Sequence, residues 1–253
     1  MTIEFSQWVN NHHFTLKCLP KTEPRQVITH VKTRCNAYEY AFGQDCFGNR
    51  TIYGFIDQPH QMLDLMMECK ACVDWQEYDT DANLNPIFKK QTPFTEPQGQ
   101  LLDFAKKCKE TCPVTRPFDV GFWLMHLIHD SLHYQKGVTD VNTPASIAYQ
   151  QRKGVCQDYA HIMLSVLRYM DIPCRYVAGA MKDESLTHAW IELYSDGKWY
   201  GLDPTNDLLV SDIYITFSRG RDAKDCLVNE GVFYGLQAKQ KQTIELSVEE
   251  LND

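Results

Sequence analysis

Between residues 63 and 73 the odd positions are Leu63, Leu65, Met67, Cys69, Ala71 and Val73, and Asp64, Glu68 and Lys70 fall among the even ones. A period of two is that of a half-buried β-strand. Upstream, 26–34 is rich in Val, Ile and Thr, and 51–56 is apolar and β-prone. Asp45-Cys46-Phe47-Gly48-Asn49 supplies turn residues between neighbouring runs. The pattern predicts a small antiparallel β domain ending near Trp75.

The stretch 79–98 carries Pro86, Pro93 and Pro97 among polar residues and reads as a linker. Beyond it the period changes. Leu101, Phe104, Ala105 and Cys108 recur at helical spacing until Cys112-Pro113, and Val120, Trp123, Leu124, Leu127 and Ile128 form a second such stripe. Asn142-Thr143-Pro144 predicts a helix start, with Thr143 as cap and Pro144 in the first helical position. After Cys156, the residues Ala160, Met163, Leu164 and Leu167 predict a helix with one core-facing stripe, ended by Asp171-Ile172-Pro173. Strands are expected over 175–180 and, last, over 243–248.

The runs 188–194 and 199–203 flank Ser195-Asp196-Gly197-Lys198, and Asp-Gly is a strong two-residue hairpin signal. With Ser195 paired to Lys198, His188 falls opposite Thr205 and Trp190 opposite Asp203. His188 and Asp203 then share a face as diagonal neighbours, roughly 7 Å apart in backbone, a gap that side chains can close. Ala189, Ile191, Leu193, Tyr200 and Leu202 form the opposite, inward face. Asp203 can therefore hold the tautomer of the His188 imidazole.

Gly154-Val155-Cys156-Gln157-Asp158-Tyr159-Ala160-His161 places a cysteine in the first turn of the predicted helix. Unpaired N–H groups and the positive end of the helix dipole favour a thiolate there. The thiolate is the nucleophilic form, and Cys156, His188 and Asp203 are the residue types an acyl-transfer site requires. Asp158, Arg175 and His161 read as cap, ion-pair or core residues before catalytic ones. Cys69-Lys70-Ala71-Cys72 has metal or redox spacing, but on a strand its sulfurs point to opposite faces. His126, His129, Asp130 and His133 share a helix face that solvent exposure explains without a ligand. No metal and no cofactor are expected.

A 253-residue chain with 43% hydrophobic and 23% charged residues can bury a substantial core. A net charge of −8 argues against general nucleic-acid or anionic-membrane binding. The sequence shows no basic-then-apolar leader and no bilayer-length apolar run, so a cytoplasmic location is expected. Ten scattered cysteines read as free thiols.

Gly154-Val155-Cys156-Gln157-Asp158 with Ala160-His161, Ile172-Pro173-Cys174-Arg175-Tyr176-Val177, His188-Ala189-Trp190, Leu202-Asp203-Pro204-Thr205-Asn206 and Gly220-Arg221-Asp222 occur in that order. Over roughly 95–230 they resemble the transglutaminase-like superfamily, in particular bacterial members described as transglutaminase-like enzymes or candidate cysteine proteases. Ala223 and Cys226 depart from that pattern, at places often aromatic and often Val. The resemblance implies a papain-like α+β fold, a nucleophile-bearing helix packed on an antiparallel sheet, preceded by a β-rich domain. The expected division is residues 1–90 and 91–253. It further implies a Cys156–His188–Asp203 triad acting on amide bonds of a peptide or protein, with hydrolysis favoured over cross-linking. Gln150, Gln157 or Trp190 would give the second oxyanion donor. The alternative is a non-catalytic binding module of the same fold that docks a partner protein.

Overall fold

The computed structural model describes residues 1–251 apart from 38, 75 and 81–83; Trp75, the expected end of the β domain, lies outside them. Five strands open the chain: β1 (Thr2–Leu19), β2 (Gln26–Cys35), β3 (Glu39–Gln44), β4 (Arg50–Ile56) and β5 (His60–Val73). Leu63 and Leu65 of β5 are buried, and the later odd positions are half-buried. β1 shows no clean alternation because it bends: Asn11 has a φ of 46°, and the register shifts between Asn10 and His13. Before the bend Ile3 pairs with Leu63 of β5, and after it Leu16 pairs with Ile52 of β4. β2 flanks β5 and β3 flanks β4, all antiparallel. Ile3, Phe5, Val9, Phe14, Leu16 and Leu63 fill this unit's core.

The chain then forms α1 (Gly99–Thr111), α2 (Pro117–Ser131), the two-residue β6 (His133–Tyr134), α3 (Ala145–Gln151), β7 (Lys153–Gly154) and α4 (Cys156–Tyr169). α3 starts one residue later than Thr143-Pro144 suggests. Pro144 is extended and is the cap, and the Thr143 hydroxyl instead accepts from the N–H of Asp140. α4 is buried from Asp158 to Arg168 on every side, so a single core stripe was too narrow an expectation. It is the central helix, with α1, α2 and α3 around it and a sheet beneath.

That sheet has the order β11-β10-β9-β8-β12, all antiparallel, from β8 (Cys174–Met181), β9 (His188–Ser195), β10 (Lys198–Asp203), β11 (Leu208–Leu209) and β12 (Tyr214–Gly220). Ala189, Ile191, Leu193 and Leu202 face the helices, as the hairpin pattern requires. Two further strands, β13 (Asn229–Tyr234) and β14 (Gln240–Thr243), return to the first sheet and pair with the two halves of β1. The strand expected over 243–248 ends at Thr243. Thr243 pairs with Thr2, where β1 begins, so the residues beyond have no strand edge to join.

β12 is the edge of its sheet, and its outer backbone groups are met by side-chain amides. Gln26 accepts from Thr216 N–H (2.7 Å) and donates to Thr216 C=O (3.0 Å). Asn49 accepts from and donates to the same groups of Arg219, both at 2.7 Å. Arg219 also holds Glu23 and Glu192. Among the described residues, no helix is long and apolar enough to cross a membrane.

Candidate active site

Val155 is extended and ends the approach to α4, leaving Cys156 as the first helical residue. The helix start is fastened by Asp158, whose Oδ2 accepts from the Val155 N–H and the Thr139 hydroxyl, both at 2.7 Å. Burial raises the Asp158 pKa against the pull of those two bonds. Gly154 permits this packing: a Cβ there would lie 2.5 Å from Asp158 Oδ2. β6 and β7 pair in parallel, and His133 and Gln135 donate to the carbonyls of Arg152 and Gly154, each at 2.9 Å. This short bridge sets Tyr134 beside the helix start.

The hairpin has the register expected of its Asp196-Gly197 turn, from Ser195 paired with Lys198 to Ile191 paired with Leu202. His188 Nε2 donates to Asp203 Oδ2 at 2.7 Å. Asp203 is fully buried, and its charge is met by further donors: Tyr214 Oη and Asn206 Nδ2 at 2.8 Å, and the N–H groups of Thr205 and Asn206. Burial alone would raise its pKa, but these bonds, His188 foremost, lower it. His188 is 8% exposed. Burial opposes its proton, yet hydrogen bonds to Asp203 and Cys156 raise its pKa to about 10. With Nε2 committed to Asp203, Nδ1 is the ring nitrogen free for Cys156. The structure thus brings together the three residues singled out by sequence.

A cleft of about 290 Å³ opens here, lined by Cys156, His188, Tyr134, Lys136, Glu184 and Asn206, among others. Gln150, Gln157 and Trp190 do not line it. The Trp190 indole N–H is instead buried without a partner among the described residues, and Gln150 is exposed. Tyr134, which sequence reasoning did not single out, lines the cleft beside Cys156 and His188. Its pKa is raised by burial, then by the charges at Cys156 and Glu184. Only the β6–β7 bridge brings it near, and a two-residue strand leaves no periodic trace. Asn206 was the more legible omission, since Asp-Pro-Thr-Asn is a local turn in which the fourth side chain folds back on the first.

His161 is fully buried and its pKa is lowered to about 3 by burial, then by Arg168; its neutral ring accepts from the Ala223 N–H at 3.0 Å. Arg175 pairs with Glu192 (2.6 Å) and Asp79 (2.9 Å) and lies over the Trp199 ring. His126 pairs with Asp207, and His129 Nδ1 lies 3.1 Å from Thr205 C=O, so both brace the loop after Asp203. Among the described residues no three His, Cys, Asp or Glu side chains cluster as a metal site. All ten cysteines are free thiols.

Two family models match the chain: the bacterial transglutaminase-like N-terminal region over residues 1–72, and the transglutaminase-like superfamily over residues 108–204. An uncharacterized protein of Mycobacterium leprae is 40% identical over 114 residues, 41% of this chain and 40% of that one. One of Mycobacterium tuberculosis is 33% identical over 138 residues, 48% and 43% of the two chains. The matched segments thus span about two fifths of the length of these relatives. A solved structure from Cytophaga hutchinsonii, described as a candidate cysteine protease, has 19% identity and a TM-score of 0.67, covering 99% of this chain and 90% of its own.

Proposed function

Residues 108–204 belong to the transglutaminase-like superfamily, and on that premise we propose that the chain is a cysteine-dependent hydrolase of amide bonds, with Cys156, His188 and Asp203 as its triad. The observation that carries this reading is the Asp203–His188 pair at 2.7 Å, placed at a cleft that Cys156 also lines from the first position of α4.

With its pKa raised to about 10, His188 holds a proton at neutral pH. Cys156 Sγ attacks the carbonyl carbon as the thiolate, and the carbonyl electrons pass to oxygen. The Cys156 N–H, which has no carbonyl four residues back to bond, and the Tyr134 hydroxyl receive that oxyanion. The C–N bond breaks as His188 Nδ1 gives its proton to the departing amine, leaving a thioester. Acylation removes the sulfur charge that helps hold the His188 proton. The neutral ring then takes a proton from water, whose oxygen displaces the sulfur. Asp203 keeps the ring oriented throughout, and its five hydrogen bonds keep it ionised.

Iodoacetamide at about pH 6 tests the nucleophile. Cys156 is expected to alkylate well ahead of the other nine cysteines, and Cys156→Ala to abolish turnover of peptide amides while the far-UV spectrum is unchanged. Labelling of Cys156 no faster than its siblings, or full activity in the variant, refutes the reading.

A further inference from the structure

The walls of the cleft carry opposite charges, Lys136 and Glu184, neither of which has an ion-pair partner among the described residues. Lys136, two residues past Tyr134, lines the wall built by the β6–β7 bridge, and Lys153 lies on the bridge itself. Both ammonium groups are exposed, and among the described residues neither has an ion-pair partner. The other wall is the 182–187 loop that leads into His188. Glu184 and Leu186 of that loop line the cleft, and Asp183 precedes them. The loop's one cation, Lys182, is occupied by Glu250 at 2.5 Å. Leu246 N–H also bonds Ser185 C=O at 3.2 Å, so the C-terminal segment holds this loop, while Glu184 lines the cleft. Tyr134 feels the Glu184 charge, which places that carboxylate within electrostatic reach of the reacting atoms.

We propose that Lys136 and Glu184 are specificity-determining residues that select an amide joining an acidic acyl part to a basic amine part. The inference rests on the acyl-transfer reading for its orientation. The acyl group must lie by Cys156 and Tyr134, on the side of the cleft that Lys136, two residues past Tyr134, also lines. The amine must lie by His188, which protonates it, on the side of the cleft lined by the loop that carries Glu184 four residues upstream. A carboxylate on the acyl side then meets an ammonium of the protein, and a cationic amine side meets a carboxylate. A cleft lined by charges of known sign raises the local concentration of complementary ligands.

Methanethiosulfonates test the charges without needing turnover. The Cys156 thiolate attacks the reagent's sulfenyl sulfur, a disulfide forms and methanesulfinate leaves. The 2-aminoethyl, 2-sulfonatoethyl and methyl reagents give cationic, anionic and neutral probes, and mass spectrometry of the Cys156 peptide reads the rate. Glu184→Gln should slow the cationic reagent roughly threefold to tenfold, and Lys136→Gln the anionic one by a similar factor, with the neutral reagent unchanged in both. Equal effects on all three reagents, or none, overturn the assignment. In a peptide panel, Glu-Lys junctions should be cleaved ahead of Lys-Glu junctions, and Lys136→Glu with Glu184→Lys should invert that order. Turnover without charge preference overturns the substrate class and leaves acyl transfer standing. Charge-dependent labelling in a protein that cleaves no amide upholds the two charges and overturns acyl transfer.

Discussion

Removing the charge of Asp203 withdraws the strongest of the interactions that raise the His188 pKa to about 10. Asp203→Asn should therefore lower kcat by at least about a hundredfold, as misoriented imidazole does in triads generally. It should also move the alkaline limb of the pH–rate profile from near pH 10 toward neutrality; an unmoved limb would mean that another group titrates there. The same shift is a stability term. The folded-state pKa lies above the unfolded value of 6.5, so the stabilisation is complete below pH 6.5 and is lost as pH rises from there through about 10. Tyr214→Phe removes one of the donors on the buried carboxylate, at a cost of about 1.5–3 kcal/mol, and thermal melts should show it as a lowered Tm. Cys156, His188 and Asp203 were legible because local rules placed them: a helix start for the first, a turn-fixed register for the other two. Tyr134 and Tyr214 were not, because each reaches the site through a strand pairing that no local pattern announces.

At the scale of an element, the N-terminus of α4 is built twice over, by the Asp158 cap and by the β6–β7 bridge. Asp158→Ala should cost roughly 1 kcal/mol as a lost cap, since the Val155 N–H and the Thr139 hydroxyl lose their acceptor. It should also slow Cys156 alkylation, because the first turn loosens where the nucleophile stands. A melting curve and a labelling rate, taken together, check it; normal labelling in a destabilised protein would confine Asp158 to stability. The 195–198 turn was legible because an Asp-Gly pair with both residues at positive φ, 50° and 82°, dictates both the turn and the register beyond it. The start of α3 was less so. Thr143 and Pro144 are both good N-terminal residues, and the choice fell to the Asp140–Thr143 turn, which claims the threonine hydroxyl first.

For the whole molecule, the sequence pattern announces two units and says little about how they are joined. The proposed division at residue 90 separates a β-rich part from the part that carries the candidate site, yet β13 and β14 cross back to complete the first sheet, and the outer edge of β12 is closed by Gln26 and Asn49. These strands are short and mostly exposed, so no hydrophobic alternation marks them, and nothing in a glutamine's neighbours says that it will stand in for a strand. The expected physical consequence is that residues 91–253 depend on the first ninety residues for stability. Gln26→Ala leaves the N–H and C=O of Thr216 without partners at a buried junction and should cost about 1–3 kcal/mol, with Asn49→Ala similar at Arg219. A fragment of residues 91–253 loses both amides, the Glu23 partner of Arg219 and the β1 partner of its last two strands. It should then present an open sheet edge and self-associate, as unprotected edges do. Sedimentation and thermal melting of that fragment decide the point: a soluble, cooperatively melting monomer would make 91–253 an autonomous domain, and aggregation rescued by adding residues 1–90 in trans would make the β unit its structural cofolding partner.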